Sequence, residues 1–191
     1  MTYSYMKTTV LTCTLLALLT SCITINENGY RLLTKKEKSN LVQFSFISTN
    51  SNKNSLIEIT GKDVTNAFSK VKYTWVHVWI PYCKAKTCRP LYYYDNILAN
   101  SKTDMQLLTI SQIYDTKQPT EDYNKNIYVI KDSVYGHGMR KSRTAFTNEI
   151  THDKTIAIQM PSHMIFKGNK LIYYSDDMTQ HTMDSVIAIN Q

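Results

Sequence analysis

Tyr73-Thr74-Trp75-Val76-His77-Val78-Trp79-Ile80-Pro81-Tyr82-Cys83 is the stretch from which the fold is read. Up to Ile80 it is aromatic or β-branched, apart from His77, and Pro81 bounds it. Such a run is too short for a globular helix. It predicts a strand buried on both faces, the pattern of a parallel sheet centre. The strand delivers a close cysteine pair, Cys83 and Cys88. Two thiols at a strand-to-helix turn suit redox exchange, a metal or a structural staple, and the spacing leaves all three open.

Working outward, Thr60-Gly61-Lys62-Asp63 has the spacing of a capping box and predicts a helix to about Lys70. Leu41 to Ser48 and Leu56 to Ile59 predict strands upstream, separated by a polar loop at Thr49 to Ser55. Downstream, Pro90 suits a first helical turn, with helix continuing over Leu91 to Ala99. Met105 to Tyr114 and Asn126 to Ile130 predict strands, and Lys141 to Ile150 a helix. Thr155 to Gln159, Met164 to Phe166, the Gly168-Asn169 turn and Leu171 to Tyr174 read together as a hairpin near an edge. Residues 178–189 predict a last helix. Strands alternating with helices describe one α/β domain.

The N-terminus reads as targeting sequence. Lys7 supplies a positive start, and Thr8 to Thr20 form an uncharged stretch too short to span a membrane as a helix. It ends Leu19-Thr20-Ser21-Cys22, which resembles the lipobox of bacterial lipoproteins and implies lipidation of Cys22. The expected divisions are a signal peptide at 1–21, a lipidated tether and N-terminal extension at 22–54, and a domain at 55–191. Localisation then follows as the bacterial cell envelope, anchored to a membrane through the N-terminal lipid and facing the periplasm or cell surface. Cys13 leaves with the signal and Cys22 is spent on lipid, so Cys83 and Cys88 remain an isolated pair in a compartment that permits disulfides.

The formal net charge is +7, from 22 Lys and Arg against 15 Asp and Glu. No dense basic run or Arg-Gly tail accompanies it, so nucleic acid is not an expected partner. A basic surface near anionic lipid accounts for the excess.

Two motifs carry a further resemblance. Val76-His77-Val78-Trp79-Ile80-Pro81-Tyr82-Cys83 resembles the active-site strand of the thioredoxin superfamily, whose tryptophan stands four residues before the nucleophilic cysteine. Met160-Pro161-Ser162-His163-Met164-Ile165-Phe166-Lys167-Gly168 resembles that family's cis-proline hairpin. The spacing between Cys83 and Pro161 is similar to that of membrane-anchored, envelope-facing oxidoreductases with an extra central strand and helix. The resemblance implies a thioredoxin-like fold, a central mixed β-sheet flanked by helices, here with an N-terminal extension. It also implies thiol–disulfide exchange with envelope proteins that carry thiols or disulfides. Cys83 would attack, Cys88 would resolve, and His77 would shuttle a proton. Trp79, Tyr82, Met160 and Pro161 would hold the substrate chain, and no cofactor beyond the chain's own disulfide is needed.

The chain departs from that family in three ways. Four residues separate the cysteines, so a bond between them requires a loop over 84–88. His77 stands where cytoplasmic thioredoxins carry a buried acid. His163 follows two residues after Pro161, on the strand expected to face the cysteines. Val64 to Tyr94 holds no acid but contains Lys70, Lys72, Lys84, Lys86 and Arg89, a charge distribution that favours a thiolate. Two other readings stay open. One is a non-catalytic binding or structural lipoprotein with an inert staple. The other is copper delivery through Cys83, Cys88 and His163, because two thiolates and an imidazole suit a soft ion.

Overall fold

The computed structural model describes residues 27–44, 56–83, 85–115 and 126–191. The signal segment, Cys22 and the Thr49–Ser55 loop lie outside the described residues. After a short 3-10 turn at Tyr30–Leu32, the elements run α1 (Lys35–Ser39), β1 (Val42–Gln43), β2 (Ile57–Ile59), α2 (Gly61–Ala67) and β3 (Tyr73–Trp79). They continue α3 (Leu91–Asn100), β4 (Met105–Ser111), β5 (Ile127–Ile130), α4 (Asp132–Tyr135) and α5 (Met139–Thr151). The chain closes with α6 (Lys154–Gln159), β6 (His163–Lys167), β7 (Lys170–Ser175) and α7 (Gln180–Ile189).

Among the described residues, seven strands join one mixed sheet in the order β1-β2-β5-β4-β3-β6-β7. Strands β1 to β5 are mutually parallel where they pair, and β6 and β7 run antiparallel. The aromatic, β-branched run is β3, and every residue from Tyr73 to Val78 is buried. Its neighbours differ from the all-parallel centre that its composition suggests. β4 lies parallel on one side, and β6 lies antiparallel on the other. A buried strand has the same composition beside either kind of neighbour, so the pattern reports burial and leaves direction open.

Alternation along β3 supplies both cores. Val76 and Val78 face a cluster with Val64 and Phe68 near α2 and Phe146 and Ile150 of α5. Tyr73 and Trp75 face the opposite cluster with Tyr94 and Ile97 of α3 and Met183 and Ile187 of α7. Helices therefore cover both faces of the sheet. Local chemistry fixes where they begin. Thr60 accepts from the Asp63 N–H while Asp63 accepts from the Thr60 N–H, the reciprocal cap expected from the sequence and worth about 1 kcal/mol.

Three expectations need correction. Thr155 to Gln159 belongs to helix α6, because the Asp153 carboxylate accepts from the Thr155 and Ile156 N–H groups and starts a turn there. The alternation of Ile156 and Ile158 imitates a strand, yet only Ala157 of this helix is buried. The Leu41–Ser48 strand is confined, among its described residues, to Val42–Gln43. Lastly, Pro161 follows a trans peptide bond, so the hairpin lacks the cis bond of the resembled motif. Met160 instead takes a left-handed conformation at the end of α6, with φ 52°, and turns the chain into β6.

Candidate functional site

Strand β3 ends at Trp79, and Ile80 to Pro90 form a loop before α3 starts at Leu91. Two turns fold this loop back: the Cys83 N–H donates to Ile80 O at 3.1 Å and the Cys88 N–H to Ala85 O at 2.9 Å. Cys83 and Cys88 are disulfide-bonded, with Cα atoms 5.9 Å apart. A regular helix would hold residues at that spacing too far apart, so the loop is what permits the bond. Cys83 is half-buried, whereas Cys88 is exposed. The Tyr82 hydroxyl donates to the Asp115 carboxylate beyond the end of β4, and this bond pushes its pKa up. Ile80, Tyr82 and Tyr92 leave apolar surface exposed around the disulfide.

Behind the loop, β3 and β6 place His77 opposite His163. The Val78 N–H donates to Ser162 O at 2.8 Å, which makes His77–His163 the adjacent, closer kind of antiparallel pair. Their rings stack with centroids 4.5 Å apart and planes within 8°. Tyr94 from α3 packs against both, at 4.4 Å and 5.0 Å. His77 Nδ1 lies 3.3 Å from Ser162 O, a carbonyl that can only accept, so Nδ1 carries the proton and Nε2 keeps its lone pair. The opposite holds for His163. Trp75 Nε1–H donates to its Nδ1 at 3.3 Å, which leaves the proton on Nε2. Neither Nε2 has a protein partner in its buried position.

Burial sets the charge state of this pair. Desolvation lowers the His77 pKa to about 3, opposed by the Ser162 bond and assisted by Arg143. His163 is likewise held well below the usual imidazole range by burial, then by His77 and Arg143. Arg143, buried on α5, donates through Nη2 to Met160 O, and desolvation lowers its pKa to about 10. Met160 spends its N–H on Ile156 O, and its carbonyl, which accepts from Arg143, keeps a second lone pair. Asp176 accepts from the Ser162 N–H and hydroxyl at 3.0 Å and 3.3 Å, fixing the chain just after Pro161.

A cavity of about 30 Å³ opens between these groups, lined by His77, Trp79, Cys88, His163 and Asp176 among others. It has room for about one water. The structure thus brings Cys88, His77, Trp79 and His163 together beside the Ser162 turn, while Cys83 and Tyr82 do not line the cavity. The copper set fits poorly. Cys83 and Cys88 are bonded to each other, and coordination through His163 Nε2 would displace the proton that its bond from Trp75 puts there. No group of three metal-ligating side chains converges among the described residues.

Sequence reading missed Trp75, Tyr94, Arg143 and Asp176 as parts of this site. Tyr94 falls within the helix predicted over Leu91 to Ala99, and the other three join the site only through strand register and a distant helix. No protein family model, no curated protein and no solved structure matches the chain.

Proposed function

We propose that this is an exported, lipid-anchored protein with a thioredoxin-like arrangement that exchanges thiols and disulfides with envelope proteins through Cys83 and Cys88. The observation that carries the reading is the placement of the bond. It lies on an exposed loop that follows the carboxyl end of β3, beside the Pro161–Ser162 turn and over a cavity walled by a buried histidine pair. Strand order supports it too. The strand that leads to the cysteines lies between a parallel β4 and the antiparallel β6–β7 hairpin, and β5 adds an extra parallel strand farther along the sheet.

The size of the loop weighs against a staple. Cross-linking a loop of about 15 residues gains about 3 kcal/mol by constraining the unfolded chain, and shorter loops gain less. A separation of five residues removes little freedom from the unfolded state. In the exchange, His77 is neutral and lines the cavity, its buried Nε2 lone pair has no protein partner, and it can take up a proton only transiently. Trp79 lines the same cavity, and Ile80 and Tyr82 supply an apolar rim for a partner chain.

The test is the mass of the purified chain before and after mild reductant and alkylation. A reversible gain of two hydrogens, at a potential above about −300 mV, supports exchange. A bond that resists reduction assigns it to a staple and ends the proposal. The anchor is tested separately: Cys22→Ser should abolish acyl labelling and partition into detergent.

A further inference from the structure

Exposure differs between the two sulfurs, and the difference assigns their roles. Cys88 is exposed at the mouth of the cavity, next to Ser162 and His163, whereas Cys83 is half-buried and does not line it. Arg89 follows Cys88 directly, packs over Tyr93 at 5.3 Å and stands just ahead of the ten-residue helix α3, whose first N–H groups point toward the loop. On the other side, Tyr82, the residue before Cys83, holds the Asp115 carboxylate. Asp176 lines the cavity with Cys88 and accepts from the Ser162 N–H and hydroxyl. An approaching thiolate therefore reaches Cys88 more readily than Cys83.

Resting on the exchange reading, we infer that Cys88 is the sulfur that joins the partner and that Cys83 resolves, the reverse of the order that the sequence resemblance implies. In the oxidising direction, a partner thiolate attacks Cys88 Sγ. A partner–Cys88 bond forms, the Cys83–Cys88 bond breaks, and Cys83 leaves with the electron pair as a thiolate that then takes a proton. A second partner thiolate attacks the partner's own sulfur in the mixed disulfide. Cys88 is released as thiolate, so the partner loses two electrons and the chain gains them. The reducing direction runs the same steps backward: Cys88 attacks the partner disulfide, and Cys83 then attacks Cys88 Sγ. Both directions pass through a mixed disulfide on Cys88.

The experiment uses the full chain, reduced, as Cys83→Ser and Cys88→Ser variants, each mixed with glutathione disulfide. Peptide mapping locates the adduct and separates it from Cys13 and Cys22. Cys83→Ser should gain glutathione on Cys88 faster than Cys88→Ser gains it on Cys83, by a factor on the order of ten. Equal rates, or faster trapping on Cys83, overturn the assignment while leaving exchange intact. Trapping on neither cysteine removes the exchange reading and this inference with it. A second measurement needs no variant. The oxidised wild-type chain is treated with excess small thiol, quenched in acid and mapped. Mixed disulfide on Cys88 supports the assignment, and mixed disulfide on Cys83 sinks it.

Discussion

His77 and His163 face each other across β3 and β6 with their rings stacked 4.5 Å apart, and both are neutral because both are buried. Their tautomers are opposite: His77 carries its proton on Nδ1 and His163 on Nε2, as Ser162 O and the Trp75 indole dictate. Nitrogen-15 spectra of the imidazoles at neutral pH should show one ring in each form. Two rings in the same tautomer would contradict the assignment.

This pair makes the fold sensitive to acid. The His77 pKa falls from 6.5 in the unfolded chain to about 3 when folded, so between those values only the unfolded chain binds the proton. The stabilising contribution is complete above pH 6.5 and is lost as pH falls toward 3. Each pH unit in that window costs about 1.4 kcal/mol, for a total on the order of 5 kcal/mol. The unfolding midpoint in urea should therefore drop from pH 7 to pH 4 more steeply in the wild type than in His77→Gln. Parallel curves for the two proteins would remove His77 as the cause.

Trp75→Phe tests the second half of the same arrangement. Trp75 is fully buried, packs edge-on against Tyr94 at 5.7 Å and supplies the donor to His163 Nδ1. The substitution leaves a small void and an unsatisfied buried nitrogen, a combined loss of about 2–4 kcal/mol. Chemical denaturation measures it, and a change below about 1 kcal/mol would show that the indole N–H contributes little.

Gly61 opens α2 and has no room for a methyl group. A Cβ there would sit 2.8 Å from three carbons of the Glu149 side chain, which accepts from the Tyr135 hydroxyl. That hydroxyl in turn accepts from the Gly61 N–H at 2.7 Å. Gly61→Ala should cost about 1–3 kcal/mol by pushing Glu149 off Tyr135. In a Glu149→Gly background the same change should cost much less, because all three obstructing carbons, Cβ included, are gone. An equal cost in both backgrounds would place the strain in the backbone instead.

Much of the scaffold was readable from residue pattern because it depends on local chemistry. The cap at Thr60 and Asp63, the buried β3 run, the helix after Pro90 and the β6–β7 turn at Gly168 each announce themselves within a few residues. The site was less readable. His77 and His163 were both singled out, but their stacking depends on the antiparallel register between β3 and β6. Arg143 reaches the site from a helix that the sequence gives no reason to aim there. Relative exposure of Cys83 and Cys88 follows from how the loop folds over the sheet edge. His137 shows the same limit: within Gly136-His137-Gly138 it reads as a solvated turn residue, yet its Nδ1 lies 2.7 Å from the Asp132 carboxylate.

Asp132 belongs to a polar network that pins the N-terminal extension to the domain, and Tyr114 is its hub. The Tyr114 hydroxyl donates to Glu58 Oε1 at 2.6 Å and accepts from the Asp132 N–H at 2.8 Å, while its backbone N–H donates to Asn28 O. Burial, then the bond to Glu58, pushes its pKa up, so it remains a neutral donor at any ordinary pH. Asn28 closes the network by donating its side-chain amide to Asp132 at 2.9 Å. Tyr114→Phe keeps the ring but orphans the buried Glu58 oxygen and the Asp132 N–H, which predicts a loss of about 2–4 kcal/mol. The loss should also loosen the extension, so amide exchange at residues 28–33 should speed up along with the fall in the unfolding midpoint. A lower midpoint with unchanged protection at those residues would mean that the hydroxyl stabilises the sheet alone and that the extension is held by its own contacts.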